Sequence, residues 1–158
     1  MNNKPFYGIA SAITILDQLS KFIVQQKLDL GQTIPVIPSF FNLTHVLNPG
    51  AAFGFLSGAS AAFRGPFFIT ISVLAVLFIL YYRSRHRGMG LLPSVALALI
   101  LGGALGNLID RVRLGMVVDF LDFYYRSYHW PAFNLADSAI TVGVALMVFE
   151  IVMDRGKG

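Results

Sequence analysis

Gly88–Ile109, GMGLLPSVALALILGGALGNLI, runs for 22 residues without an Asp, Glu, Lys or Arg, and Gly65–Tyr82, GPFFITISVLAVLFILYY, does so for 18. A helix needs about 20 mostly apolar residues to cross a bilayer, so both stretches read as membrane spans. Two further apolar stretches flank them: Phe6–Val24, interrupted by Asp17 and Lys21, and Phe133–Met153, interrupted by Asp137 and Glu150. Composition agrees with this reading. Of 158 residues, 56% are hydrophobic and 13% charged, about half the charged share of an ordinary soluble domain, and mean hydropathy is +0.68. The expected fold is an all-α membrane protein: one domain over 1–158, a four-transmembrane-helix bundle with spans at 6–24, 65–82, 90–109 and 133–153. The first span is kept as permanent rather than as a cleaved signal, because Asp17 and Lys21 interrupt it and no small-x-small site follows.

Lys and Arg set the orientation. With both termini cytoplasmic, the inner side carries Lys4, Arg83, Arg85, Arg87, Arg155 and Lys157 in 17 residues, whereas the outer segments carry five basic residues in 63. The density and the Arg83-Ser84-Arg85-His86-Arg87 cluster decide it. The net charge of +4 is too sparse for a nucleic-acid-binding face and suits a phospholipid surface. The 40-residue outer segment 25–64 contains TIPVIPSFFNLTHVLNPGAAFGFL, β-branched and aromatic residues punctuated by Pro and Asn-Pro-Gly turn signals. A small extracytoplasmic β element, a short strand pair lying on the membrane, is expected there, followed by a brief interfacial helix over Leu56–Phe63.

Ionisable groups inside a span cost about 2.5–3.5 kcal/mol at mid-membrane, so they face the bundle interior and pair. In the first span Ser11, Thr14, Asp17, Gln18 and Lys21 recur at helical spacing, and Asp17 and Lys21 form an i,i+4 acid-then-base pair whose first meaning is an internal lock between helices. In the third, Ala98, Gly102 and Gly106 form a small-xxx-small ridge for close backbone approach. Gly103, Asn107 and Arg111 share a neighbouring face where the span meets the outer surface, either a solvated helix end, with Asp110, or a polar network that orients a reacting group. Asp119, within MVVDFLDFYY, and Asp137, about one turn into the fourth helix, both reach the outer leaflet. Asn134, Asp137, Ser138 and Thr141 make a polar stripe there, for which an Asn134 N-cap is the simpler account.

Two carboxyls brought together in a low-dielectric site share one proton. Such a dyad can activate water, one acid acting as base while the other, protonated, polarises a peptide carbonyl. The pattern alone leaves Asp122 and Asp110 beside Asp119 as candidates. Other chemistries are poorly supplied. There is no cysteine, His45, His86 and His129 lie in three segments, and HExxH, GxSxG and Walker-type loops are missing, so no metal or other cofactor is expected.

Five blocks, Asp17-Gln18-x-Ser20-Lys21, Asn48-Pro49-Gly50-Ala51-Ala52-Phe53, Gly102-Gly103-Ala104-x-Gly106-Asn107-x-x-Asp110-Arg111, Val117-Val118-Asp119-Phe120 and Phe133-Asn134-x-Ala136-Asp137-Ser138, resemble in order the bacterial lipoprotein signal peptidase family, signal peptidase II. The resemblance covers nearly the whole chain. It implies an intramembrane aspartyl endopeptidase of the bacterial inner membrane, active near the extracytoplasmic leaflet. Its substrates would be prolipoproteins, cut just before a cysteine that already carries a diacylglyceryl group. The family's catalytic pair maps onto Asp119 and Asp137, and its binding and supporting residues onto Asp17, Lys21, Asn48, Gly50, Asn107, Arg111, Asn134 and Ala136. The 25–64 segment would cradle the lipidated end of the substrate, and a monomer is expected.

Two rival classes stay open at this point. An ion or proton-coupled transporter would need polar groups through the full membrane depth, yet the inner halves of the last three spans are almost purely apolar apart from Glu150. A scaffold subunit would use the Gly102–Gly106 ridge as its interface, which leaves the clustered carboxylates and carboxamides at one leaflet unexplained.

Overall fold

The structure, a computed structural model, describes residues 4–50, 59–86 and 88–155, with backbone only at 154 and 155. Four helices form: α1 (Lys4–Lys27), α2 (Ala61–Arg85), α3 (Leu91–Leu114) and α4 (Leu135–Arg155). At 1.5 Å per residue the 24 residues of α3 span about 36 Å, more than the hydrocarbon core of a bilayer, so the helices overrun the expected spans by a few residues at most ends. Among the described residues three helices, α2, α3 and α4, are long and apolar enough to cross a membrane. The polar stripe takes α1 out of that set, although it is as long as α3.

Helix α3 is the centre of the bundle, packed on α1, α2 and α4. Its glycines make this possible. A Cβ on Gly102 would lie 2.7 Å from the Ala10 carbonyl oxygen and from Ile13 Cβ of α1, and one on Gly103 would collide with the Ala136 carbonyl oxygen of α4. Gly106 lies against both, facing the Asp17 carboxylate and Ala136 Cβ. The expected ridge is thus real, with Gly103 serving a second helix. At the end opposite the sheet Phe6, Ala10, Ile79, Leu97, Ala98 and Leu101 close the apolar core.

The outer layer is a four-stranded antiparallel sheet in the order β1 (Thr33–Ile37), β2 (Phe41–Asn48), β3 (Val117–Tyr125), β4 (Tyr128–His129). The expected strand pair is β1 and β2. The β element is larger than the pair expected within 25–64: MVVDFLDFYY of the 110–132 segment joins it as the long central strand β3, because it finds the edge of β2 as a hydrogen-bonding partner. Gly115, at φ 70°, ends α3 with a left-handed cap, its N–H on the Arg111 carbonyl at 3.0 Å, and turns the chain into β3 within two residues. Val24 of α1 and Leu28 just after it, with Phe120 of β3, seat the sheet on the bundle. Of the interfacial helix expected over Leu56–Phe63, positions 56–58 lie outside the described residues, Ser60 is the N-cap of α2, and 61–63 belong to the first turn of α2 rather than to a separate helix.

Candidate active site

A polar network fills the end of the bundle that carries the sheet. Lys21, 2% exposed, is held by two carboxylates, with its Nζ 2.8 Å from Asp17 and 2.8 Å from Asp110. Its third donor goes to Asn107 Oδ1 at 3.0 Å. An ammonium has three donors, and here all three are used on separate partners. Asp17 also accepts from the Ala136 backbone N–H at 2.9 Å, which ties α1 to the first turn of α4. Asp110 accepts from Gln18 at 2.9 Å and from the Val118 N–H at 3.1 Å, which fastens the start of β3 to α3. The solvated-end reading of Asn107 and Asp110 fails, because both are buried.

Asn107 in turn donates its Nδ2 to Asp137 Oδ1 at 2.8 Å. Asn134 caps α4 as its sequence position suggested, its Oδ1 accepting from the Asp137 N–H at 2.9 Å. The same side chain donates to Asp119 Oδ1 at 2.7 Å. Capping and site construction are therefore one arrangement. Asn48, at the end of β2, donates to Asp119 Oδ2 at 3.0 Å, and the Gly50 N–H fixes Asn48 by donating to its Oδ1 at 3.0 Å.

Asp119 and Asp137 line one cleft of about 680 Å³, walled by Asn48, Gly50, Asn107, Arg111, Trp130, Phe133 and the outer turns of α4, with apolar surface prevailing. Of the sequence-predicted residues, Asn48, Gly50, Asn107 and Arg111 reach this cleft. Asp17, Lys21, Asn134 and Ala136 stand behind it and hold its walls. Arg111 lies over the Phe68 ring at 5.4 Å, which links α2 to the site. Burial, reinforced by the charge of Asp137, pushes the Asp119 carboxyl from its ordinary 3.8 up to about 7, against the opposing pull of the Asn48 and Asn134 amides.

The neighbouring carboxyls part company here. Asp122, three residues on, points to the opposite face of β3, where Asn42 donates to it at 2.8 Å and His129 Nδ1 lies 2.8 Å away. The other two histidines are engaged separately, His45 with the Leu28 carbonyl and His86 with the Tyr82 carbonyl. The polar stripe of α1 begins at Thr14, since Ser11 is exposed. The sequence offers Gln18 as part of the α1 stripe and Asp110 as an alternative carboxyl, but not their bond to each other. Their signal was helical spacing to Asn107 and Lys21, and only the α1–α3 contact brings them together.

Apolar helices of membrane length around a carboxyl-lined cleft define a multi-pass membrane protein with an acid-based site at one end of its bundle. A sequence model of the family described as signal peptidase (SPase) II matches residues 9–153. The lipoprotein signal peptidase of Syntrophus aciditrophicus is 49% identical, covering 95% of this chain and 93% of its own, and that of Geobacter sulfurreducens is 50% identical, covering 98% of each. A bacterial membrane enzyme solved by the in meso method at 2.3 Å resolution superposes with a TM-score of 0.87 at 37% identity, covering 97% of this chain and 90% of that one. The chain belongs to the signal peptidase II family, and so to the peptidases.

Proposed function

We propose that this chain is an intramembrane aspartyl endopeptidase that removes the signal peptide from diacylglyceryl-modified prolipoproteins, cutting immediately before the lipidated cysteine, with Asp119 and Asp137 as the catalytic pair. One observation carries the reading: two carboxyls from separate elements, a strand and a helix, line one cleft, and the buried Asn134 donates to both, its side-chain Nδ2 to Asp119 Oδ1 at 2.7 Å and its backbone N–H to Asp137 Oδ2 at 3.4 Å.

The pair holds one proton near neutral pH, on Asp119, whose carboxyl resists ionisation. Asp137, fixed by Asn107, takes a proton from water as the water oxygen attacks the carbonyl carbon of the scissile peptide. Asp119 gives its proton to the carbonyl oxygen. When the tetrahedral intermediate collapses, the C–N bond breaks, Asp137 passes its proton to the leaving nitrogen and the second hydroxyl returns a proton to Asp119. The pair is regenerated, and the products are a carboxylic acid, which ionises on release, and the free amine of the cysteine.

The membrane arrangement is part of the proposal. Helix α1 serves as the fourth span, a reading supported by its outward face: Ile15, Leu16, Leu19, Phe22 and Ile23 are all more than half exposed, while its Asp and Lys turn inward. Exposed apolar residues around a buried ion pair suit lipid as the solvent. Basic density supports cytoplasmic termini, and with them a cleft at the outer leaflet of the inner membrane. The apolar cleft supports the choice of a substrate carrying acyl chains, and the chain is read as acting as a monomer.

The test is cleavage of a diacylglyceryl-modified precursor beside its unlipidated form, in detergent or liposomes, by the parent chain and by Asp119→Asn and Asp137→Asn. The parent cuts the lipidated form preferentially, and each variant folds but does not cut. Full activity in either variant sinks the dyad.

A further inference from the structure

Strand β4 is two residues long, so backbone pairing alone holds it weakly, yet the four residues that follow it are a wall of the cleft. Trp130, Pro131, Ala132 and Phe133 all line the cleft, and the next residue is Asn134. Backbone bonds tie this return segment to β3 at Trp130 N–H to Phe123 O, 2.8 Å, and at Phe133 with Leu121. Beside the stack of Phe133 on Phe123, with ring centroids 5.8 Å apart, a side-chain tie comes from His129. Its Nδ1 lies 2.8 Å from Asp122 Oδ1, and because a carboxylate only accepts, Nδ1 carries the hydrogen. The ring stacks flat on Tyr124, centroids 4.9 Å apart and planes at 7°. Asp122 is anchored on its other oxygen by Asn42 of β2, and the Tyr124 hydroxyl accepts from the Ser39 N–H at 2.8 Å. Three strands are thus cross-linked through one buried carboxylate.

We infer that His129 is a positioning residue for substrate binding: its hydrogen bond to Asp122 clamps β4 to the sheet and so fixes the Trp130–Phe133 wall against which the substrate lies. This rests on the peptidase reading above. His129 touches neither carboxyl of the dyad, and its ring is half exposed, so its effect reaches the substrate only through the wall. A wall that contacts substrate equally in the ground and transition states changes KM and leaves kcat alone.

The experiment is steady-state cleavage of a diacylglyceryl-modified precursor by the full chain in detergent, with the parent, His129→Ala, and His129→Asn, whose amide nitrogen takes the place of Nδ1. The expected result is a KM raised about fivefold in H129A with kcat within about twofold of the parent, and recovery of KM in H129N. Should H129A fail to fold, His129→Phe keeps the stack on Tyr124, removes only the donor, and carries the same expectation. An unchanged KM, a fall in kcat alone, or a KM raised equally in H129A and H129N overturns the inference. If the parent itself does not cleave, the peptidase reading has failed. If the parent cleaves and the His129 variants match it, only the clamp has failed.

Discussion

Lys21 Nζ donates to Asn107 Oδ1 at 3.0 Å, and this contact decides which way the carboxamide of Asn107 faces. With the oxygen committed to an ammonium, the nitrogen is left to donate, and it does so to Asp137 Oδ1 at 2.8 Å. A cation buried between two carboxylates on one side of the site therefore orders a hydrogen bond on the reacting side. Asn107→Asp replaces that donor with an acceptor and sets a carboxylate against Asp137. Cleavage of a lipidated precursor under single-turnover conditions is expected to slow about a hundredfold or more, in line with the loss of one preorganised donor.

Removing the cation acts differently. Lys21→Met leaves Asp17 and Asp110 buried and facing each other without a counter-charge, a loss on the order of 3–5 kcal/mol when one partner of a buried pair is deleted. Thermal unfolding in detergent is expected to show a large drop in Tm. Adding Asp110→Asn to Lys21→Met recovers part of it, since one of the two stranded charges is gone. A double variant no more stable than the single one would falsify the account of Asp110 as Lys21's second counter-ion.

What the sequence disclosed follows from which signals are local. The α2 and α3 spans were legible because a charge-free run is a property of consecutive residues, and the Asp17–Lys21 pair because i and i+4 meet on any helix. Strand β3 was not, since its partner β2 lies some 70 residues earlier and MVVDFLDFYY carries no clean alternation. The choice among Asp110, Asp119 and Asp122 failed for the same reason. Once β3 exists, its pleat separates Asp119 from Asp122, three residues apart and so on opposite faces, and the burial of Lys21 claims Asp110. Only the family resemblance had singled out Asp119.

The glycines of α3 offer a test of how tightly the site depends on helix approach. A Cβ at Gly106 would collide with the Asp17 carboxylate, which is already pinned by Lys21 and by the Ala136 N–H and has no room to retreat. Gly106→Ala is expected to cost about 1–3 kcal/mol, the usual range for overpacking, and to loosen the α1–α4 tie. Tm in detergent reports the first. Faster hydrogen exchange at the Ala136 amide reports the second. Gly115→Ala makes a useful contrast: no atom lies within 4 Å of its Cβ, so its cost comes from the left-handed backbone alone.

The raised Asp119 carboxyl makes both stability and rate depend on pH in a defined window. An acid that binds its proton more tightly folded than unfolded favours the folded state while protonated. Below about 4, the unfolded value, it is protonated in both states, and that contribution is fully present. As pH rises from about 4 to about 7 the unfolded chain ionises first, and stability falls by an amount on the order of 4 kcal/mol before levelling off. In Asp119→Asn this part of the slope disappears, so Tm in detergent, followed from pH 4 to 8, declines less steeply than in the parent. The rate reads the same proton from the other side. Above about 7 the pair loses the proton that the carbonyl oxygen must receive, and kcat/KM on a lipidated precursor falls with an alkaline midpoint near 7. A rate still level at pH 9, with the parent folded, contradicts Asp119 as the proton donor.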